Sequence, residues 1–495
     1  MSSSTIPEGR SALAKNVLGV WGIVFLVLAA VAPLTATIVV TPLGIAVGNG
    51  GGMVGAFLIM MVVLLLFAVG FAQMSKILVH AGGFYAFVVK GLGRPMGLVA
   101  GFIALIGYNV FVAGAFGTMG FFMWLVTNTF FGLNVPWMIW SLIAIVVVFL
   151  LSRRGIAVSV KILMVSLVLE VAIILVMDFS VLFQSGFSFE VFNPSIVFTG
   201  SIGVALLFAA TGFLGFEATA LFSEEAKNPN RTVPRATYIA VAFIGLFAAF
   251  TAWAIISAIG VATAQAESIK HLSSGDLVFT IAHKYLGDAL LDVMMVLLLV
   301  SIFASLLALH NAATRYLFAL GRVSILPKRL SHTRKLNGAP VVAASVQLAF
   351  VAVVILVYGV AGLDPIAVLT ASMVGFGTLC ILTLQMLAAA SIVVYFRRVK
   401  DVRLWKTLIA PGLGGLGLLV IVVLAIFNFP AVAGSDNVII GQLPWLLLVV
   451  LAGGLWLASW LRRSRPGTYA ALEDDLENFD QLGIGKSATD AAKTA

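Results

Sequence analysis

Two carboxylates interrupt stretches that are otherwise apolar. Glu170 sits inside Val168-Leu169-Glu170-Val171-Ala172, and Glu217 closes Gly212-Phe213-Leu214-Gly215-Phe216-Glu217. A charge within a membrane span is costly, so such residues mark proton relays, ion sites or substrate paths. Glu170 is suited to taking up a proton, ligating sodium or pairing with a cation, and the proton is preferred. A neutral acid hydrogen-bonded between helices is the structural alternative. Glu217 follows a glycine-rich interruption, where the N-terminal dipole of a resumed helix favours an anion. The backbone is distinctive too. Ala32-Pro33-Leu34-Thr35-Ala36-Thr37 and Ala210-Thr211-Gly212-Phe213-Leu214-Gly215 each place helix breakers near the middle of an apolar span. Proline removes a donor and clashes with the preceding turn, and glycines loosen a helix. In hydrocarbon such breaks persist only where they line a cavity. Their freed amides suit a carboxylate and their freed carbonyls an ammonium. With the hydroxyls of Thr35, Thr37 and Thr211, they form a site for a zwitterion, and Phe213 is placed to close over it.

Composition and charge define the elements that hold these residues. Of 495 residues, 61% are hydrophobic and 10% charged, against about 25% charged in soluble domains. That leaves too little polar surface for a soluble fold. A bilayer-crossing helix takes roughly 20 apolar residues, and apolar stretches bounded by charge give twelve spans. These are 18–46, 52–75, 96–126, 135–151, 157–178, 197–222, 236–261, 287–320, 341–361, 365–395, 408–428 and 443–461. With the N-terminus cytoplasmic, all of the 29 Lys and Arg except Lys270 and Lys284 fall on the cytoplasmic side, as the positive-inside rule requires. The formal charge of +9 therefore reports topology and not nucleic-acid binding. The expected fold is an all-α polytopic protein of the plasma membrane, here a bacterial inner membrane, with both termini cytoplasmic. The breaks fall in helices one and six, the spacing of a 5+5 inverted repeat. Residues 1–17 form a cytoplasmic segment, 18–178 the first repeat, 197–395 the second, 408–461 two further helices, and 462–495 an acidic cytoplasmic tail.

Several classes are excluded. The single cysteine, Cys380, permits neither a disulfide framework nor a Cys-ligated metal site. The five histidines are scattered, and no His-x-x-x-His or Glu-x-x-His occurs. No metal, cofactor or enzymatic chemistry is expected, and no repeated filter-like segment suggests a channel. His310, inside a span, reads as a packing residue, and Gly93, Gly97 and Gly101 as a close-packing stripe.

The stretch Gly212-Phe213-Leu214-Gly215-Phe216-Glu217, with Glu224-Glu225-Ala226-Lys227-Asn228-Pro229-Asn230-Arg231 and Pro234-Arg235 beyond it, resembles the sixth-helix signature of the amino acid–polyamine–organocation (APC) transporters. Gly82-Gly83-Phe84-Tyr85, Ala312-Ala313-Thr314-Arg315 and Leu326-Pro327 are similar to the same superfamily. The resemblance implies a LeuT-like fold, with helices eleven and twelve outside the repeat, and transport of amino acids or amines. It implies that Glu170 occupies the place where several proton-coupled members carry a lysine, equivalent to a sodium site in sodium-coupled relatives. In such a fold Ser301 and Ser305 offer hydroxyls near Glu170, Tyr108 and Asn109 lie at the depth of substrate contacts, and Glu217 serves coupling or organises the site. The sequence departs from the pattern at the first helix, where Pro33-Leu34-Thr35-Ala36 replaces a Gly-Ser/Thr-Gly turn. Proline offers no amide to a substrate carboxylate. The expectation is a secondary active transporter importing an amino acid with a proton by alternating access, with an amine or polyamine carrier or an exchanger as the alternative.

Overall fold

A computed structural model describes residues 19–78, 83–154, 160–217, 219, 226–334, 339–432, 438–470 and 472. The N-terminal segment, Glu224-Glu225 and nearly all of the acidic tail lie outside them. Every long element is a helix. Among the described residues ten stretches are long and apolar enough to cross a membrane. The first, Val20–Ile77, is 58 residues long and would run roughly 87 Å if straight, nearly three times the hydrocarbon thickness. It does not run straight. Helix α1 (Val20–Val31) ends at Ala32, α2 (33–49) resumes after Pro33, and non-helical Gly48 with a turn at Gly50–Gly52 leads into α3 (Met53–Ile77). Ten stretches and twelve anticipated spans differ because helical turns follow one another without a gap through Gly50–Gly52, joining the first two spans into one stretch, and because α8, in the sixth anticipated span, is short.

The order continues with α4 (Phe84–Leu92), α5 (Arg94–Phe131), α6 (Trp137–Arg154), α7 (Val160–Ser185) and α8 (Ile202–Thr211). Next come α9 (Pro229–Ile259), two short helices α10 (Ala264–Lys270) and α11 (Leu277–Leu286), α12 (Asp288–Arg322) and α13 (Val341–Val360). The last three are α14 (Pro365–Arg398), α15 (Trp405–Val432) and α16 (Leu443–Ser464). Helices α4, α10 and α11 have no counterpart in the anticipated spans, being too short and too polar. Helix α7 runs to Ser185 instead of stopping at Asp178, which leaves that aspartate inside the helix. Helix α9 opens on Asn228 in the left-handed region (φ 56°) with Pro229 as its first residue, where the missing N–H of proline costs nothing.

Small residues bring the inner helices together. A methyl at Gly107 of α5 would lie 2.7 Å from Cys380 Cβ, and one at Gly377 of α14 would lie 2.8 Å from the Phe111 backbone nitrogen. Such close approach maximises dispersion contact where water-driven burial is absent. Gly97 packs likewise against Val89 of α4, and Gly93 has φ 86°, so this stripe serves a turn and a helix crossing. The outer surface carries exposed apolar side chains such as Val146, Leu416 and Trp456, suited to contact with lipid.

Candidate functional site

The first break is built by one dipeptide. Ala32 adopts φ 54°, ψ 73°, because the residue before proline is pushed out of the right-handed helical region. A left-handed alanine costs on the order of 1 kcal/mol, so surrounding packing must hold it. Helix α2 then starts with a proline, and the Leu34 amide has no helical acceptor. That amide points at Glu170 Oε2 (3.4 Å). The same oxygen accepts from the Ser301 hydroxyl of α12 (2.8 Å), and Oε1 accepts from Ser166, one turn earlier on α7 (3.0 Å). Thr35 Oγ1 in turn donates to Ser301 Oγ (3.1 Å). Glu170 is buried, at 4% exposure. Three donors and a helix N-terminus face it, which is the environment that accommodates a carboxylate away from water.

The second break follows Thr211. The amides of Gly212, Phe213 and Leu214 close tight turns on the carbonyls of Ala209, Ala210 and Thr211, and Gly215 turns back with φ 113°. The Gly215 amide donates to Glu217 Oε2 (2.9 Å), while Tyr108 of α5 donates its hydroxyl to Glu217 Oε1 (2.8 Å). Tyr108 also stacks on Tyr316 of α12, with centroids 5.1 Å apart. Glu217 therefore caps the break with one oxygen and ties it to α5 with the other. Beside it, Phe216 meets Phe67 and Phe71 edge-on, each at 6.3 Å.

Between the breaks lies a cavity of about 60 Å³. Thr35 and Ala36 contribute from the first break, Thr211 and Leu214 from the second, Phe111, Ala115 and Thr118 from α5, Ile302, Ser305 and Leu306 from α12, and Thr370 and Val374 from α14. Its polar groups are hydroxyls. Thr118 pairs with Thr370 (3.0 Å), and Thr211 with Thr378 (2.8 Å). Among the described residues no charged side chain lines it. An apolar cavity of about 150 Å³ admits benzene, so the present space is closed down to a few heavy atoms.

Of the residues singled out in the sequence, Thr35, Ala36, Thr211 and Ser305 meet at this cavity, and Glu170, Leu34 and Ser301 lie directly behind Thr35. Pro33, Thr37 and Gly212 line a smaller space of about 20 Å³ toward α9. Ala32, Ala210, Phe213, Gly215, Tyr108 and Asn109 do not line the main cavity. Phe213 is 1% exposed, Asn109 donates to the Leu105 carbonyl of its own helix (2.7 Å), and Tyr108 is committed to Glu217. The sequence points to Tyr108 and Asn109 on α5, whereas Phe111, Ala115 and Thr118 of that helix, with Thr370 and Val374 of α14, line the cavity. Their signal was faint: Phe111, Ala115 and Thr118 share a helical face on spacings of four and three, beside the packed glycines.

The ring of His310 is satisfied locally. His310 Nδ1 donates to Gln347 Oε1 (2.6 Å), and Nε2 accepts from the Ser152 hydroxyl (2.9 Å). Cys380 is a buried free thiol. Among the described residues no three His, Cys, Asp or Glu side chains gather into a metal-binding group.

The family model described as amino acid permease matches residues 18–454. The branched-chain amino acid permease BcaP of Lactococcus lactis is 28% identical over 62% of this chain and 68% of its own length. The methylthioribose transporter of Bacillus subtilis is 26% identical over 59% of this chain and 64% of its own, and the histidine permease HisP of L. lactis 27% over 58% and 62%. The Eremococcus coleocola manganese transporter, solved with an aromatic bis-isothiourea compound, superposes with TM-score 0.50 at 14% identity, covering 94% of this chain and 98% of that one. It shares the fold. With a match over most of its length, a multi-pass helical membrane architecture and two interrupted helices around a cavity, the chain belongs to the amino acid permease family of the APC superfamily.

Proposed function

We propose that this permease imports a small aliphatic amino acid together with a proton, and that Glu170 carries the proton. The observation that carries the reading is the hydroxyl chain Thr35–Ser301–Glu170, which runs from the cavity wall to the buried carboxylate. Each hydroxyl has one hydrogen to give. With Glu170 ionised, Ser301 donates to it and Thr35 donates to Ser301, so Thr35 turns only lone pairs toward the cavity. With Glu170 protonated, the acid can donate to Ser301 and Ser301 to Thr35. The Thr35 hydrogen is then free to meet a substrate carboxylate. Protonation thereby improves binding of the carboxylate, and by linkage the carboxylate favours protonation.

Aliphatic walls and hydroxyls suit a branched or short aliphatic side chain. The absence of a lining carboxylate counts against a bare amine, which would bring an unpaired cation into an apolar space. Two of the named relatives are permeases for amino acids. In this reading the broken helices are the first and sixth of twelve, related by a 5+5 inverted repeat. The bundle of helices 1, 2, 6 and 7 rocks against helices 3, 4, 8 and 9 in a plasma membrane, with both termini cytoplasmic.

The test is uptake of leucine, isoleucine and valine by proteoliposomes under imposed pH or sodium gradients. A pH gradient should drive accumulation, and Glu170→Gln should abolish it while leaving downhill counterflow. Sodium-driven accumulation, or proton-driven uptake undiminished in Glu170→Gln, overturns the coupling. Competition by a decarboxylated amine but not by its parent amino acid overturns the substrate class.

A further inference from the structure

Eight residues beyond Glu170, helix α7 carries a second acid that the relay above does not use. Asp178 is fully buried, at 0% exposure. Its Oδ2 accepts from the Thr251 hydroxyl of α9 (2.7 Å), and its Oδ1 is buried with no hydrogen-bond partner among the described residues. The contrast with Glu170 is chemical. Glu170 has three donors; Asp178 has one. A carboxylate in hydrocarbon with a single donor is far costlier than a neutral acid lacking one bond.

Among the described residues no other charge compensates it. Helices α1 and α2 contain no titratable residue. On α9, Arg231, Arg235 and Tyr238 lie at least thirteen residues from Thr251, roughly 20 Å along the axis. On α11, His283 pairs with Asp288 (2.8 Å), the exposed Lys284 lies over the Tyr285 ring, and the Tyr285 hydroxyl meets Ser185 (2.5 Å). On α12, Asp288 and Asp292 are exposed, and His310, Arg315, Tyr316 and Arg322 lie beyond Ser301 toward the opposite end. Asp178 stands about 12 Å from Glu170 along α7 and about 10 Å from the end of that helix at Ser185.

We propose that Asp178 is a second proton-binding site, loaded from water on the Ser185 side when the α7–α9 seam opens and carried as the neutral acid when it closes. The step is simple protonation: the carboxylate takes one proton from water at the open seam and returns it when the seam reopens. The direction of loading rests on the transporter reading above; the existence of the bound proton does not.

Infrared difference spectra of the reconstituted protein, recorded between acid and alkaline pH, read the carbonyl stretch of protonated carboxyls directly. Asp178→Asn should remove one such band that survives in Glu170→Gln, and should lower the proton-to-substrate ratio measured by reversal potential by one. Thr251→Val keeps the acid and removes its one donor, so the band should move to higher frequency. Should Asp178→Asn not fold, the Thr251→Val shift and retention of the band in Asp178→Glu decide the matter. An unchanged band set in a folded Asp178→Asn, an unmoved band in Thr251→Val, or a shift driven by sodium at constant pH overturns the site. Loss of coupling in neither Glu170→Gln nor Asp178→Asn, with the Asp178 band present, overturns the proton-transport reading alone.

Discussion

Replacing Ser301 by alanine severs the link between cavity and carboxylate without emptying either. The hydroxyl donates to Glu170 Oε2 at 2.8 Å and accepts from Thr35 at 3.1 Å. Glu170 keeps the Ser166 hydroxyl and the Leu34 amide, so no buried charge is orphaned and the fold should survive. A hydrogen bond to a charged group contributes about 1.5–3 kcal/mol, and each 1.4 kcal/mol is about tenfold in an equilibrium constant. If that bond transmits the state of Glu170 to the substrate, its loss should flatten the pH dependence of substrate half-saturation by about 10- to 150-fold. The assay is half-saturation for leucine across a pH series in proteoliposomes, with counterflow as the control for intact transport. A cycle with Thr35→Val separates relay from packing: members of one chain are non-additive, so Thr35→Val should change pH dependence little once Ser301 is alanine. Unaltered pH dependence in Ser301→Ala, or simple additivity of the two changes, would refute the relay.

Ala115→Leu adds bulk to a wall of the 60 Å³ cavity; transport should fall at least about tenfold while Tm holds or rises, since filling a void stabilises by the reverse of the cavity cost. Gly377→Ala forces a methyl to within 2.8 Å of the Phe111 nitrogen and 2.9 Å of the Gly107 carbonyl, and should cost about 1–3 kcal/mol by overpacking, seen as a lower Tm in detergent. On the loop between α14 and α15, the Arg403 guanidinium hydrogen-bonds Asp401 (Nη2–Oδ2 2.6 Å) and holds its carboxyl below the ordinary value of 3.8. A depressed carboxylate stabilises above its unfolded pKa and loses that contribution as pH falls through the folded one. Because Arg403 is half exposed, Asp401→Asn should lower stability by no more than about 1 kcal/mol at neutral pH. The difference between variant and parent should begin to shrink as the pH drops below 3.8 and vanish only once it has fallen through the lower folded value. A difference that persists at lower pH contradicts the ion pair.

What the sequence disclosed depended on how local the signal was. Breaks at Pro33 and Gly212–Gly215 were legible because proline and glycine act on their own backbone. Glu170 stood out because charge is scarce in apolar runs. Its contact with Ser301 was reachable only through the resemblance to a known fold, since 131 positions separate them. Asp178 was hidden by a boundary: it is the last residue of the span anticipated over 157–178, where a charge reads as a helix end, whereas the backbone continues to Ser185. Phe111, Ala115 and Thr118 could not be told from the packing residues around them on α5, because a helix apolar all round carries no periodic mark of which face meets a cavity. Tyr108 is the instructive case. A polar ring at mid-span invites assignment to the substrate, and here it donates to Glu217.

The two carboxylates at the breaks bear on the unloaded half of the cycle. Leu34 and Gly215 amides are each met by an oxygen of the chain itself, so neither helix end waits for cargo to satisfy it. A carrier whose broken helices are bonded only by substrate is trapped when empty, because crossing would drag bare amides through a dry interior. One that is internally capped has no such obstacle, and the empty protein can reset alone. Net uptake then need not be matched by efflux, and release into a substrate-free compartment should proceed at a rate comparable to release against substrate on the far side. The same property has a cost in tightness. With the Leu34 and Gly215 amides already met, the proposed substrate is left with hydroxyls such as that of Thr35 for its carboxylate, which trades affinity for turnover.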